Sequence, residues 1–199
     1  MVSKIAYSIY YIFFKRIFDI FFSISLLFIF LPILFILFFI YQIFEGGNLI
    51  FWSKRIGKNN IVFLMPKLRT MKKLTPDIAT HLLTNQNEYV TKLGKILRKT
   101  SLDEIPQLYS VLKGDMTIVG PRPALFNQYD LIKLRTKNNI HFLKPGITGL
   151  AQVKGRDLLT ISEKVAFDKK YLNQKNFFLN IKIICITVIK LFISKNIFH

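Results

Sequence analysis

From Ile20 to Phe44 the chain carries no charged residue, and Phe, Ile and Leu dominate the run. Twenty-five residues of helix extend roughly 37 Å, enough to cross a hydrocarbon core of about 30 Å. A secretory leader is excluded, because the run is too long and Tyr41-Gln42-Ile43-Phe44-Glu45 offers no small-residue cleavage site. Pro32 sits near the middle, where it removes a backbone donor and bends a helix. Two readings are open at this point: a kinked helix that crosses the bilayer once, and a segment that dips in, bends at Pro32 and returns to the same face. Ahead of the run, Met1 to Phe18 is an aromatic-rich lead-in with Tyr7, Tyr10 and Tyr11, suited to a membrane interface. Asp19 stands at the mouth of the apolar run, with Arg16 three positions earlier as its expected partner.

Beyond the turn Glu45-Gly46-Gly47-Asn48, the pattern shortens. Leu49 to Trp52 and Ile61 to Met65 flank Gly57-Lys58-Asn59-Asn60 and predict a hairpin. Thr75 to Asn87 is polar, contains Pro76 and predicts a loop. Leu93, Ile96 and Leu97 have the i, i+3, i+4 spacing of a helix, ringed by Lys92, Lys95, Arg98 and Lys99. Ser101-Leu102-Asp103-Glu104 fits a Ser-x-x-Glu capping box for the next helix, which runs to Lys113-Gly114. Gly120-Pro121-Arg122-Pro123 is a stiff loop, and Lys144 to Gly155 a glycine-punctuated region. Phe177 to Ile193 is apolar apart from Asn180, Lys182, Thr187 and Lys190. Those four fall within about half the helical circumference, which predicts an amphipathic helix with a polar face, lying on the membrane or the core.

Charge narrows the partners. Lys and Arg number 29 against 11 Asp and Glu, a net charge of +18. Such an excess points to nucleic acid, an anionic membrane or phosphate-bearing substrates, and the apolar run favours the last two. Lys15 and Arg16 precede the run and Lys54, Arg55 and Lys58 follow it, so both flanks look cytoplasmic. Cys185 is the only cysteine, and His81, His141 and His199 are scattered. That excludes a disulfide framework and a Cys/His zinc site, leaving a hard cation on carboxylate and phosphate oxygens as the metal to expect.

Asp103-Glu104 stands out in so basic a chain. Taken alone, adjacent acids at a helix start complement the dipole and cap it. The neighbours widen the reading. Arg98 lies just upstream, and Arg122 is framed by two prolines that restrict its backbone, so its guanidinium can fork onto a phosphate. Two carboxylates, arginines and a divalent cation are the parts that phosphoryl transfer uses. No P-loop, GxGxxG or Ser-His-Asp pattern competes.

Six blocks occur in order: Lys15-Arg16-Ile17-Phe18-Asp19, Lys67-Leu68-Arg69-Thr70-Met71, Ser101 to Leu108, Val111 to Met116, Val119-Gly120-Pro121-Arg122-Pro123 and Pro145 to Val153. Together they resemble the bacterial sugar transferases, the monotopic polyprenol-phosphate phosphoglycosyl transferases of the small single-domain type. The resemblance implies an α+β, mostly helical fold. Residues 1–45 would form the lead-in and a re-entrant membrane helix broken at Pro32. Residues 46–199 would form a cytoplasmic catalytic domain with a short β-hairpin and surface amphipathic helices, the last of them interfacial. It implies a UDP-sugar donor, an undecaprenyl phosphate acceptor and Mg²⁺, at the cytoplasmic face of the inner membrane, with no nucleic acid partner. Asp103 would be the nucleophile, with Glu104 or Asp103 holding the metal. Lys67, Arg69, Arg98 and Arg122 would contact phosphates. Pro145, Gly146, Thr148, Gly149, Gln152 and Arg156 would border the nucleotide or sugar. Small relatives imply an N-acetylhexosamine-type donor, and a homodimer is left open.

The chain departs from the family pattern at Leu31, where a serine often precedes the proline, at Lys154 in Gln152-Val153-Lys154-Gly155-Arg156, and at Ser110. None of these touches Asp103, Glu104 or Arg122. The rival reading is a non-enzymatic, membrane-anchored basic protein that binds anionic lipid or nucleic acid. Such a protein has no need of the ordered acidic, Gly-Pro-Arg-Pro and Pro-Gly-Ile-Thr-Gly blocks.

Overall fold

A computed structural model describes residues 2–72, 75 and 89–193. The expected loop at 75–87 lies outside the described residues except for Thr75. The architecture is mostly helical, with a long N-terminal apolar helix and a small antiparallel hairpin.

Helix α1 is Val2–Phe44, and Pro32 lies inside it, so the helical run continues through the expected break. Among the described residues its Tyr11–Phe44 part is the one stretch long and apolar enough to cross a membrane. One face of α1 lies along the globular body. Phe22, Leu26, Phe30 and Leu34 pack on the main core, while Leu37 and Tyr41 join Leu49, Leu68 and Leu97 in a second cluster. The opposite face exposes Phe14, Phe21, Phe28, Phe35 and Ile43.

Charged side chains fix the start of the apolar run to the body. Asp19 is buried and accepts from the Thr117 hydroxyl (2.6 Å) and the Ile118 amide (3.2 Å). Its ion-pair partner is Lys15 at 3.2 Å, not Arg16 as the spacing suggested. Arg16 instead donates to the carbonyls of Val111 (2.6 Å) and Leu112 (2.7 Å). Those carbonyls belong to the last turn of a helix, where a cation is favoured by the dipole and by the unsatisfied acceptors.

Strands β1 (Ile50–Ile56) and β2 (Val62–Leu68) form the expected hairpin, longer than the apolar runs, with Phe51 opposite Lys67 and Ser53 opposite Met65. Its tip turns through Asn59 and Asn60, both left-handed. Helix α2 (Lys92–Thr100) starts at Thr91, whose hydroxyl accepts from the Gly94 amide, and buries Leu97. The capping box expected at Ser101 is absent. Ser101 is the left-handed residue that ends α2, and Leu102–Glu104 form a single 3₁₀ turn before α3 (Gln107–Lys113). The two helices follow so closely that no extended residue remains to serve as a cap. The true capping box is Thr160 with Glu163, at the start of α6 (Ile161–Gln174).

Short strands β3 (Thr117–Val119) and β4 (Gly146–Thr148) pair in parallel, a union across 26 intervening positions that no local pattern announces. Between them lies α4 (Tyr129–Lys137), and after β4 come α5 (Leu150–Lys154) and a 3₁₀ turn Arg156–Leu158. The core under these elements is built from Met65, Leu108, Val111, Met116, Ile118 and Ile183.

Helix α7 (Phe177–Ile193) is present as expected, but its polar residues do not form one solvent face. Asn180 is buried, donating to the Tyr11 hydroxyl (2.9 Å) with its Oδ1 2.8 Å from the Tyr171 hydroxyl. The Thr187 hydroxyl lies 2.7 Å from that of Thr148. Phe178, Val188 and Ile189 are exposed instead. Hydrogen-bonded polar groups can be buried, and here they tie α7 to α1, α6 and β4.

Candidate active site

The 3₁₀ turn at Leu102–Glu104 delivers two adjacent carboxyls in different directions. Glu104 meets three cations from three other parts of the chain, all on one oxygen. Lys67 Nζ from β2 is 3.1 Å from Oε1, Arg122 Nη2 from the loop after β3 is 3.2 Å away, and Arg156 Nη2 from the turn after α5 is 3.3 Å away. Burial opposes ionisation of Glu104, but Lys67, Arg122 and Arg156 outweigh it and hold the carboxyl well below the usual carboxylate range. Glu104 is therefore a fixed anion that gathers cations.

Asp103 behaves differently. It is buried, and its Oδ2 is 3.9 Å from Lys67 Nζ, too far for a hydrogen bond. Burial raises its pKa, with Glu104 adding to the effect and Lys67, Arg98 and Arg122 opposing it. Among the described residues the Asp103 carboxyl thus makes one long ion pair, to Lys67, and burial disfavours its charged form. Burial likewise pulls the Lys67 ammonium down, against the pull of Glu104.

Of the cations expected here, Arg98 donates through Nε to the Thr70 hydroxyl at 2.9 Å and lies within the electrostatic reach of Asp103. Arg69 is not on Glu104. Its guanidinium lies 5.8 Å from the centre of the Phe51 ring, and its Nε is buried without a hydrogen bond. Arg156, with φ of 52°, pairs with Glu104, so the residue expected at the nucleotide or sugar lies beside the acidic pair.

Pro145, Gly146, Thr148, Gly149 and Gln152 lie together behind the Arg122 loop. Pro145 O accepts from the Thr117 amide (2.9 Å), the Gly146 amide donates to Pro121 O (2.9 Å), and the Gly120 amide donates to Thr148 O (2.8 Å). Gln152 Nε2 donates to Ile147 O at 3.1 Å. A side chain at Gly146 would put its Cβ 2.1 Å from the Gly120 amide nitrogen, and one at Gly149 would sit 2.1 Å from the Gly120 carbonyl oxygen. These glycines let two backbones touch, and the contact sets where Arg122 emerges. Pro32, also named from the sequence, lies on α1 and takes no part in the cluster.

Three residues with a role in this geometry were missed by the motifs. Arg135 on α4 donates to the Arg122 carbonyl at 2.8 Å, Asp168 on α6 accepts from Arg135, and Arg55 on β1 donates to the Pro123 carbonyl at 3.3 Å. They are scattered along the chain, so no spacing rule could have grouped them.

A family model for bacterial sugar transferases matches residues 10–194. The chain is 39% identical over 156 residues to the galactosyl transferase CpsE of Streptococcus agalactiae, covering 72% of this chain and 34% of that protein. It is 40% identical over 154 residues to the uncharacterized sugar transferase EpsL of Bacillus subtilis, covering 76% of this chain and 74% of that one. Against the UDP-glucose:undecaprenyl-phosphate glucose-1-phosphate transferase of Klebsiella pneumoniae it is 37% identical over 190 residues, 92% of this chain and 41% of the other. The chain thus spans well under half the length of two of these relatives and most of the third. The ordered blocks and the match over nearly the whole length agree: this chain belongs to the bacterial sugar transferase family.

Proposed function

We propose that the protein transfers a sugar 1-phosphate from a UDP-sugar to undecaprenyl phosphate at a membrane surface, as a first membrane-bound step of surface-glycan synthesis. The observation that carries this reading is the pairing of a locked anion, Glu104, with a buried, sparsely bonded carboxylate, Asp103, inside a ring of four cations. Asp103 attacks the β-phosphorus of the donor. The bond from that phosphorus to the bridging oxygen breaks, UMP leaves, and a phosphosugar-aspartyl ester forms. An oxygen of the lipid phosphate then attacks the same phosphorus and returns Asp103 as a carboxylate. Lys67, Arg98, Arg122 and Arg156 neutralise the phosphate charge that builds on the way. Arg122 is suited to this, since its side chain keeps 31% of its surface exposed while touching Glu104.

The donor set fits Mg²⁺, which commonly takes only one or two carboxylates and completes its sphere with water and substrate phosphates. Among the described residues there is no larger cluster of acidic, His or Cys side chains. Glu104 would hold it through Oε2, the oxygen outside the three ion pairs, with Asp103 beside it. When bound, the ion neutralises phosphate oxygens. The relatives' names mention glucose and galactose, which favours a UDP-hexose over the N-acetylhexosamine expected from chain length.

We read α1 as re-entrant. From Lys15 to Tyr41 a helix extends roughly 39 Å, yet both ends pack on one globular body, at Thr117 and at Leu68. A simple span would carry its ends to opposite faces of the bilayer. The exposed apolar face of α1, with Phe178 and Ile189 of α7, would lie in lipid on the cytoplasmic side of the inner membrane.

The test is Asp103→Asn in purified protein with undecaprenyl phosphate, Mg²⁺ and a panel of UDP-sugars. UMP release should vanish while the fold and membrane binding persist. Normal release by the variant would remove Asp103 as nucleophile and the reading with it.

A further inference from the structure

Arg122 can serve a phosphate only if its loop is held still, and the loop has little means of holding itself. Pro121 and Pro123 contribute no N–H. Ala124 anchors its far end in the core beside Leu131 and Ile140, and a small cleft of about 30 Å³ opens beside Pro121 and Arg135.

What holds it is a row of donors from outside. Four successive carbonyls, from Pro121 to Ala124, all accept a bond from a residue outside the loop. Pro121 O takes the Gly146 amide (2.9 Å) and Ala124 O takes the Ile56 amide (2.9 Å). Between them, Arg122 O takes Arg135 Nη1 (2.8 Å) and Pro123 O takes Arg55 Nη1 (3.3 Å). The outer two bonds are backbone pairings. Of the inner two, the Arg135 bond is the shorter, and it lands on the carbonyl of the phosphate-binding residue itself.

Arg135 is in turn fixed from behind. Its Nε (3.0 Å) and Nη2 (2.7 Å) both donate to Asp168 Oδ2. Asp168 is 1% exposed on α6, and the Arg135 side chain is 12% exposed. Among the described residues Arg135 is the one ion-pair partner of this buried carboxylate, and two bonds from the same fork hold the guanidinium in plane. The fork then leaves one N–H aimed at the loop. A lysine cannot make both bonds, because a single ammonium cannot span the carboxylate and the carbonyl with this geometry.

We propose that Arg135, braced by Asp168, is a positioning residue for Arg122 in binding the donor's diphosphate. The proposal rests on the transferase reading of the site, and it concerns a part of the molecule that touches neither substrate.

The experiment is a double-mutant cycle on the full-length protein with UDP as the probe, in Mg²⁺, followed by kinetics with the most active UDP-sugar. Arg135→Lys should weaken UDP binding by about tenfold, the scale expected when a contact is misplaced by a fraction of an ångström. Asp168→Asn, which keeps the shape, should do the same, and it serves as the second variant if Arg135→Lys does not fold. In an Arg122→Ala background either change should cost less than about twofold, because the contact it positions is gone. The KM for the UDP-sugar should rise while the KM for undecaprenyl phosphate stays constant. Partial misfolding would instead lower kcat and leave both KM values alone. An equal penalty with and without Arg122, or unchanged UDP affinity in the single variants, overturns the proposal. Failure of the wild type to release UMP would sink the transferase reading, but the UDP cycle would still decide the positioning role.

Discussion

Lys67 Nζ lies 3.1 Å from Glu104 Oε1, joining the end of a β-strand to a 3₁₀ turn 37 positions later. The same oxygen also accepts Arg122 and Arg156, so one carboxylate holds three chain segments at a common point. Glu104→Gln would leave three cations facing one another without their anion. Removing one partner of a buried pair costs about 3–5 kcal/mol. For a chain of this size that is a fall in melting temperature of roughly 6–20 °C. UMP release should drop with it at temperatures where the variant is folded. A variant with wild-type stability would show that Glu104 does not organise the site.

Asp103 gives the pH dependence its sign. Its pKa is raised in the folded protein, chiefly by burial and further by Glu104, with Lys67 opposing. The attacking form is the carboxylate, so kcat/KM should fall on the acid side at a pH above the ordinary aspartate value of about 3.9. Lys67→Met removes an opposing cation and should move that limb to higher pH. Stability runs the other way: a carboxyl with a raised folded-state pKa costs stability as pH rises from its unfolded value through its folded one. Asp103→Asn should therefore melt no lower than wild type at neutral pH. An acid limb that stays put in Lys67→Met would refute the assignment.

Asp19 anchors the long helix. Its two oxygens satisfy the Lys15 ammonium, the Thr117 hydroxyl and the Ile118 amide, all at a buried junction with β3. Asp19→Ala strands a buried ammonium and an amide, which costs about 3–5 kcal/mol by the same reasoning. Limited proteolysis in detergent should cut the variant sooner near α1. Equal resistance would mean that the apolar contacts of Phe22 to Tyr41 suffice.

How far this was legible in the sequence follows from the range of each interaction. The hairpin, α2, α3 with its Gly114 end and the apolar helix are local patterns, and they stand. The Ser101 cap failed because Ser-x-x-Glu describes a helix start in isolation, while here Glu104 is drawn to Lys67, Arg122 and Arg156. Arg16 was assigned to Asp19 by spacing, yet Lys15 pairs with Asp19 and Arg16 reaches the unsatisfied carbonyls at the end of α3. The polar residues of α7 were placed on one helical face, but hydrogen bonds to Tyr11 and Thr148 turned two of them inward. Asp103 and Arg122 were visible through their ordered blocks. Arg135 and Asp168 were not, since their meaning lies in a contact 33 positions apart.

The re-entrant reading makes a topological prediction. With Asp19 and Tyr41 packed on one body, that reading puts residues near Met1 and near Gly46 on the same side of the bilayer. Single cysteines placed there, in a Cys185→Ser background because Cys185 is exposed, should be labelled only after the membrane is permeabilised. Labelling near Met1 in intact cells with a membrane-impermeant reagent would establish a spanning helix.

Gly146 tests whether the Arg122 loop needs its backbone contact. A Cβ there would lie 2.1 Å from the Gly120 nitrogen and 2.5 Å from Thr148 O, both backbone atoms that no side-chain rotation can move. Gly146→Ala must therefore push β4 away from the loop or break the Gly146 bond to Pro121 O. Steric overpacking of this kind costs about 1–3 kcal/mol, small enough for the protein to fold. Because the displaced element holds the loop that carries Arg122, activity should fall further than the loss of stability explains, by about tenfold or more. The comparison is made at a temperature well below both melting points, where folded fractions are equal. If activity then matches wild type, the close approach of β4 to Gly120 is dispensable for placing Arg122.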